Sequence, residues 1–242
     1  MKPFFILRGD KMGSYLNPGS KGFRESLNSE IYVDKTGLLE KTNEVLDTRQ
    51  KFLCVSRPRR FGKSMAADML AAYYDCGEHT AALFDSLKIS KAASYQKHRN
   101  QYDVIKVNIQ EFLSMTHSMT DMLAMLQKYL VFDLMEHFEN VRFRDENNLI
   151  QVMKDIYNKT KRSFVILIDE WDCLFREYKQ DSEAQKKYLD FLRAWLKDQD
   201  YVALAYMTGI LPVKKYGSHS ALNMFTEYSM TDPGDLAEYF GF

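Results

Sequence analysis

The chain is short of several things that would define its class at once. It has no net charge: Lys plus Arg number 33 and Asp plus Glu number 33. A global positive field for nonspecific nucleic-acid binding is therefore missing, and such a role would need a local patch or a further segment. Cysteine is sparse, with 3 in 242 residues. Cys54, Cys76 and Cys173 lie far apart and lack the spacing of a metal site, and an odd, thin supply fits a reducing cytosol rather than a disulfide framework. Proline and glycine are also few, 5 and 11, and no internal repeat or Pro/Ser-rich linker is present. No apolar run approaches the ~18 residues of a membrane span, and the patch Phe4 to Leu7 is too short for a secretion signal. Asn158-Lys159-Thr160 matches a glycosylation sequon, a chance match in a cytosolic chain. What the chain does have is 45% hydrophobic and 14% aromatic residues. That supports a sizeable core and excludes disorder and collagen-like or low-complexity fibres.

Turn residues cluster early. Gly9-Asp10, Asn17-Pro18-Gly19 and Gly22 make residues 8–31 the loosest stretch. From residue 51 short apolar runs alternate with helical periods. Strands are expected at Phe52 to Val55, Asp103 to Ile109, Ser163 to Ile168, Tyr201 to Met207 and Phe225 to Met230. Helices are expected at Lys63 to Cys76 (with Gly77 as its stop), Met119 to Phe138 (with Ser118 and Asp121 as capping residues), Asn147 to Lys159 and Asp181 to Lys197. Ser163 to Ile168 is apolar at consecutive positions, as in a parallel strand covered on both faces. The alternation predicts an α/β fold with a largely parallel sheet, in which ligands sit beyond the carboxyl ends of the strands.

The first such end runs into Arg57-Pro58-Arg59-Arg60-Phe61-Gly62-Lys63-Ser64. Between a strand and a helix, Gly-Lys-Ser suits phosphate. Glycine admits close backbone approach, and the helix N-terminus offers unpaired N–H groups and a positive dipole end. The lysine reaches the terminal phosphates and the hydroxyl ligates magnesium. The spacing of such loops asks for glycine at position 57, where this chain has arginine. The plain alternative is a basic turn that caps a helix. Arg57, Arg59 and Arg60 add positive charge, serve a partner's carboxylate, or are simply solvated.

The third strand ends in Asp169-Glu170, 105 positions after Ser64. An Asp at the end of a core strand is costly unless paired or metal-bound. It suits magnesium, and a Glu one residue later suits a general base that polarises water. The alternative is that Asp169 or Asp172 caps the next helix. Loop and acids together point to nucleotide binding. Thr208, at the end of the fourth strand, orients the water or reads the γ-phosphate, or else caps a turn before Gly209. Lys214, Lys215 and His219 follow as candidates for a γ-phosphate contact. Glu177-Tyr178-Lys179 fits half of a nuclease signature, but it sits on an expected helix and reads as a solvated face.

Tyr15 to Gly19, Ile31 to Thr36, Arg57 to Ser64, Ile168 to Glu170 and Leu222 to Glu227 together resemble the bacterial AAA-ATPase-like family, whose P-loop NTPase is often adjacent to a PD-(D/E)XK nuclease-like domain. The resemblance runs from about Met12 to the C-terminus, and Arg57 in place of the first glycine is that family's own habit. It implies a three-layer P-loop NTPase core with helices on both faces. The sheet would be mostly parallel, five-stranded and of the additional-strand catalytic-glutamate type, with the sensor strand between the loop strand and the acidic strand. It implies ATP and Mg2+ as ligands, with Lys63 and Ser64 for phosphate and magnesium, Asp169 for magnesium and Glu170 as candidate base. Together with the readings of the loop and strand ends, the candidate set is Arg57, Pro58, Arg59, Arg60, Phe61, Gly62, Lys63, Ser64 and Met65 around the nucleotide, Ser64 and Asp169 on the metal, and Glu170, Lys63 and Thr208 in catalysis. By analogy, Tyr32 to Thr36 packs near the adenine; otherwise it clamps the core edge.

The expected division is an extension over 1–11, an N-terminal segment over 12–50 packing on the core, the ATPase core over 51–231, and the start of a truncated C-terminal region over 232–242. The expected function is an ATPase switch in the cytoplasm, bacterial, without a membrane partner, coupled to an effector or nuclease-like domain outside this chain, with an oligomer as one option. The alternatives are a nucleotide-binding sensor with little turnover and the ATPase part of a nucleic-acid-processing or defence protein. No arginine finger is assignable.

Overall fold

The computed structural model describes residues 14–213 and 222–240. Five strands, β1 (Phe52–Ser56), β2 (Asp103–Asn108), β3 (Phe164–Asp169), β4 (Val202–Gly209) and β5 (Thr226–Tyr228), form one sheet. All neighbouring strands are parallel, in the order β2-β3-β4-β1-β5. Every residue of β1, β3 and β4 is buried, which is what consecutive apolar positions require of a doubly covered strand.

The helices are α1 (Lys21–Leu27), α2 (Gly37–Val45), α3 (Lys63–Tyr74), the single turns α4 (Ala81–Phe84) and α5 (Tyr95–His98), α6 (Ile109–Ser114), α7 (Met119–His137), α8 (Leu149–Thr160), α9 (Cys173–Glu177) and α10 (Ser182–Leu196). Strand side chains alternate between two cores. Ile166 and Ile168 join Leu126, Ile156 and Leu192 of α7, α8 and α10. Val165 and Leu167 join Met69, Leu70 and Tyr73 of α3, together with Phe23 of α1 and Leu38 of α2. The result is three layers, with helices on both faces. Side-chain caps start the long helices: Ser118 accepts from the Asp121 N–H, Asn148 from that of Gln151, and Asp181 from that of Ala184.

The loose stretch over 8–31 is partly helical, because α1 lies inside it. Gly22 reads as a turn residue, but a Cβ there would lie 2.6 Å from the Asp68 Cγ. Close packing of α1 on α3, not a turn, requires this glycine. Just before α1, Leu16 bridges Ile105 antiparallel. Asn17 N donates to Val104 O at 2.7 Å and Lys106 N to Tyr15 O at 2.9 Å, so the segment covers the open edge of β2. Helix α3 ends at Tyr74, two residues before the expected Cys76. Asp75 turns extended and bridges Tyr102, and its carboxylate accepts the Gly77 N–H. The last strand is three residues long rather than six, and a 3-10 turn over Gly234–Tyr239 follows it.

Candidate functional site

Parallel register brings three strand ends to one edge: Val55 pairs with Thr208, Ser56 with Gly209 and Ile168 with Met207. There the Ser64 hydroxyl donates to Asp169 Oδ2 at 2.6 Å, across 105 positions of sequence. The other oxygen, Asp169 Oδ1, accepts the Thr208 hydroxyl and the Glu170 N–H. Asp169 is 4% exposed and Thr208 fully buried. One carboxylate thus joins the loop after β1 to the ends of β3 and β4.

The loop curls through two left-handed residues, Arg60 at φ 69° and Gly62 at φ 74°. Gly62 stands at the N-cap of α3 without a side-chain cap, so the first N–H groups of α3 stay available to a ligand. A Cβ on Gly62 would meet nothing within 4 Å, so glycine is required there for its dihedral and the space above it is open. Lys63 is 5% exposed and folds back to donate to Pro58 O at 2.9 Å. Burial pulls its ammonium below the usual lysine value, against the raising influence of Glu170, Asp169 and Asp172. Pro58, Arg59, Arg60, Ser64 and Met65 are exposed, and Phe61 is half-buried.

Arg57 points elsewhere. It is 2% exposed, and its Nη1 donates to Tyr228 O at 2.8 Å and Ser56 O at 3.1 Å. Its guanidinium carbon lies 5.8 Å from the Phe240 ring centroid. The side chain ties the loop to the C-terminal edge, and only its backbone faces the loop.

Glu170 also adopts a left-handed backbone, φ 53°, and its carboxylate is ion-paired with Arg176 of α9. Arg176 Nε lies 3.4 Å from Asp172 Oδ2. Asp172, fully buried, stands at the N-cap of α9 but makes no cap bond. Its Oδ2 accepts instead from Leu211 N at 2.9 Å and Ile210 N at 3.2 Å, holding the chain beyond β4. Sequence reasoning missed Arg176 as a partner of Glu170, although its i,i+4 spacing from Asp172 was a usable signal. Lys214, Lys215 and His219 lie outside the described residues. Glu177 closes α9, and Lys179 is exposed in the turn after it.

A cavity of about 360 Å³ adjoins the loop, walled by Arg60 to Gly62, by Met65 and Met69 of α3, by Tyr32 and Val33, and by Tyr239. The segment over 31–35 is neither helix nor strand. Chemically, the edge combines open N–H donors, a buried lysine, a hydroxyl and two acids beside a largely apolar cavity. This suits a phosphorylated ligand with an apolar moiety. Among the described residues no group of three or more His, Cys, Asp or Glu is arranged to hold a metal ion, and no helix is long and apolar enough to cross a membrane.

The family model described as "Predicted AAA-ATPase" matches residues 19–218. An uncharacterized protein in the vnfD 5' region of Azotobacter chroococcum mcd 1 is 24% identical over 208 residues, covering 82% of this chain and 37% of that protein. The chain thus spans little more than a third of the length of that relative.

Proposed function

The chain belongs to the predicted AAA-ATPase family, and on that premise we propose that it binds ATP at the Arg57–Ser64 loop and hydrolyses the γ-phosphate. The observation that carries this reading is the 2.6 Å bond between Ser64 Oγ and Asp169 Oδ2. It joins a phosphate-type loop to a strand-end acid, and neither alone would be specific. Strand β4 lies between β1 and β3, which supports an additional-strand, catalytic-glutamate core. In this reading the α3 N–H groups and Lys63 hold the phosphates, and Thr208 keeps the Asp169 carboxylate oriented. Glu170 is the base that takes a proton from the attacking water.

Ser64 and Asp169 fit Mg2+: a hydroxyl and a carboxylate are hard oxygen donors, adjacent at the loop. A magnesium ion bound with substrate phosphates needs only one or two carboxylates. When bound, such an ion neutralises charge on the phosphates. Coupling of turnover to an effector or nuclease-like domain is part of the same proposal.

The Glu170–Arg176 ion pair favours a second reading, a nucleotide-binding sensor with little turnover, because a base held by a guanidinium is not free to meet water. The two separate in one assay of phosphate release with Mg-ATP, comparing wild type, Lys63→Ala and Glu170→Gln. Hydrolysis predicts release in the wild type and its loss in both variants. Binding without release above the Lys63→Ala control selects the sensor, and absence of ATP binding by the wild type sinks both.

A further inference from the structure

Arg176 stands between two acids and fully satisfies only one of them. Its Nη2 is ion-paired with Glu170. Its Nε lies 3.4 Å from Asp172 Oδ2, longer than a good N–H···O bond. Among the described residues that buried Nε has no hydrogen-bond partner, and Asp172 Oδ1 is likewise buried without one. A buried donor and a buried acceptor left unmade on neighbouring residues are costly. Closing the guanidinium onto Asp172 would remove both costs.

The three side chains are not equally free to move. Asp172 is fully buried, and its Oδ2 already accepts from Leu211 N and Ile210 N at 2.9 and 3.2 Å. The Arg176 side chain is 21% exposed and that of Glu170 23%, and Arg176 rides on the five-residue α9. The guanidinium is therefore the member that travels, and Asp172 is the fixed acceptor. Gly209 leaves Asp172 Oδ1 clear, since a Cβ there would lie 2.6 Å from it. Burial lowers the Lys63 pKa; Glu170 opposes that shift and Arg176 adds to it. Both members of the pair are thus within electrostatic reach of the phosphate-type loop.

We propose that Arg176 is a positioning residue for the base: it holds the Glu170 carboxylate idle in the free chain, and turnover requires its guanidinium to transfer to Asp172. The proposal rests on the reading of Glu170 as the base and adds what engages and releases it. In the held state Glu170 faces a cation instead of a water. After transfer the guanidinium forms a two-bond pair with Asp172, and Glu170 is open to the attacking water. The hydrolysing and idle readings of the site then correspond to two positions of one side chain.

The test measures phosphate release at saturating Mg-ATP, with ATP affinity by calorimetry on the same proteins. The proteins are wild type, Arg176→Gln, Arg176→Lys, Asp172→Asn and the double variants Arg176→Gln/Glu170→Gln and Arg176→Gln/Asp172→Asn. Arg176→Gln should raise turnover about two- to fivefold, the scale of a part-exposed ion pair, at unchanged ATP affinity. The gain should vanish in Arg176→Gln/Glu170→Gln. Arg176→Lys keeps the charge that holds Glu170 but has no Nε, so its turnover should not exceed that of wild type. Asp172→Asn removes the acceptor charge and should lower turnover, and adding Arg176→Gln should restore it. Retained ATP affinity shows that each variant is folded; should Arg176→Gln not fold, Arg176→Lys and Asp172→Asn decide the matter. Arg176→Gln at or below wild type, a gain that survives the loss of the Glu170 carboxylate, a gain in Arg176→Lys, or full turnover in Asp172→Asn overturns the inference. ATP binding without release by any of the proteins overturns it too and leaves the nucleotide site standing. Absence of ATP binding by wild type fails the nucleotide-site reading, and the inference falls with it.

Discussion

Gly209, the last residue of β4, tests how tightly the acidic edge is built. Two effects of Gly209→Ala oppose each other. Glycine is the poorer strand residue, so alanine should gain about 0.5–1 kcal/mol on conformational grounds. Its φ is not left-handed, so no dihedral strain offsets that gain. The added Cβ, however, would lie 2.6 Å from both Asp172 Oδ1 and Trp171 Nε1. Neither is the tip of a flexible surface chain, since both residues are fully buried. Overpacking of this kind costs roughly 1–3 kcal/mol. Moving Asp172 also strains its bonds from Ile210 and Leu211 and its contact with Arg176. The net expectation is a loss of about 1–2 kcal/mol in urea unfolding. At roughly 2–4 °C per kcal/mol for a chain of this size, that lowers Tm by about 2–8 °C. Because Arg176 also holds Glu170, phosphate release should fall by more than ATP affinity does. A variant as stable as wild type or more so, with unchanged release, would refute this account of the edge.

Two further outcomes follow from the same geometry. Thr208→Val keeps the volume of a fully buried side chain and removes the hydroxyl donated to Asp169. Stability should fall by about 1.5–3 kcal/mol, the range for a hydrogen bond to a charged group, in equilibrium denaturation. A change below about 0.5 kcal/mol would show that this bond contributes nothing. Burial lowers the Lys63 pKa in the free chain, and phosphate binding favours the charged form. ATP affinity should therefore be level near neutral pH and decline as pH rises through the lowered value, earlier than an exposed lysine would give. Calorimetry from pH 7 to pH 10 checks this by reference to ordinary lysine, about 10.4, and Lys63→Arg should move the decline to higher pH.

The parts of the molecule that were legible in sequence are those whose signal is local. Val165 to Ile168 is apolar at every position because both faces of β3 are covered, and that pattern needs no knowledge of the partners. Gly62-Lys63-Ser64 and Asp169-Glu170 mark their strand ends because charge is expensive at a core boundary without a purpose. Ser118 is readable as a cap for the same reason: its partner is three residues away. The unread parts depend on distant chain. Gly22 carries no mark that separates a turn from a helix pressed against Asp68. Tyr239 carries no sign in sequence that the fold sets it beside Tyr32 in the lining of one cavity. The spacing of Arg176 from Asp172 marks it as a partner for that acid, but its pairing with Glu170 depends on how α9 leaves the sheet after the left-handed backbone at Glu170.

Arg57 is where local and distant information meet. A bulky residue at the first position of a phosphate-type loop looks like damage to the loop. A guanidinium taken out of water must find acceptors or lose several kcal/mol. Burial lowers the Arg57 pKa, yet two backbone carbonyls, Ser56 O and Tyr228 O, accept from its Nη1, and the Phe240 ring lies beside it. The residue can be large because its side chain leaves the loop. The left-handed turns the loop needs fall instead on Arg60 and Gly62. The acceptor Tyr228 O belongs to the three-residue strand β5, a short edge whose pairing with β1 is otherwise slight. With glycine at 57 the loop would still curl and β5 would keep its pairing with β1 and the bond from the Ser56 hydroxyl to Glu227, but the contact with Phe240 beyond it would be lost. Arginine at this position therefore sacrifices nothing the loop requires and ties the loop to the end of β5 and to Phe240.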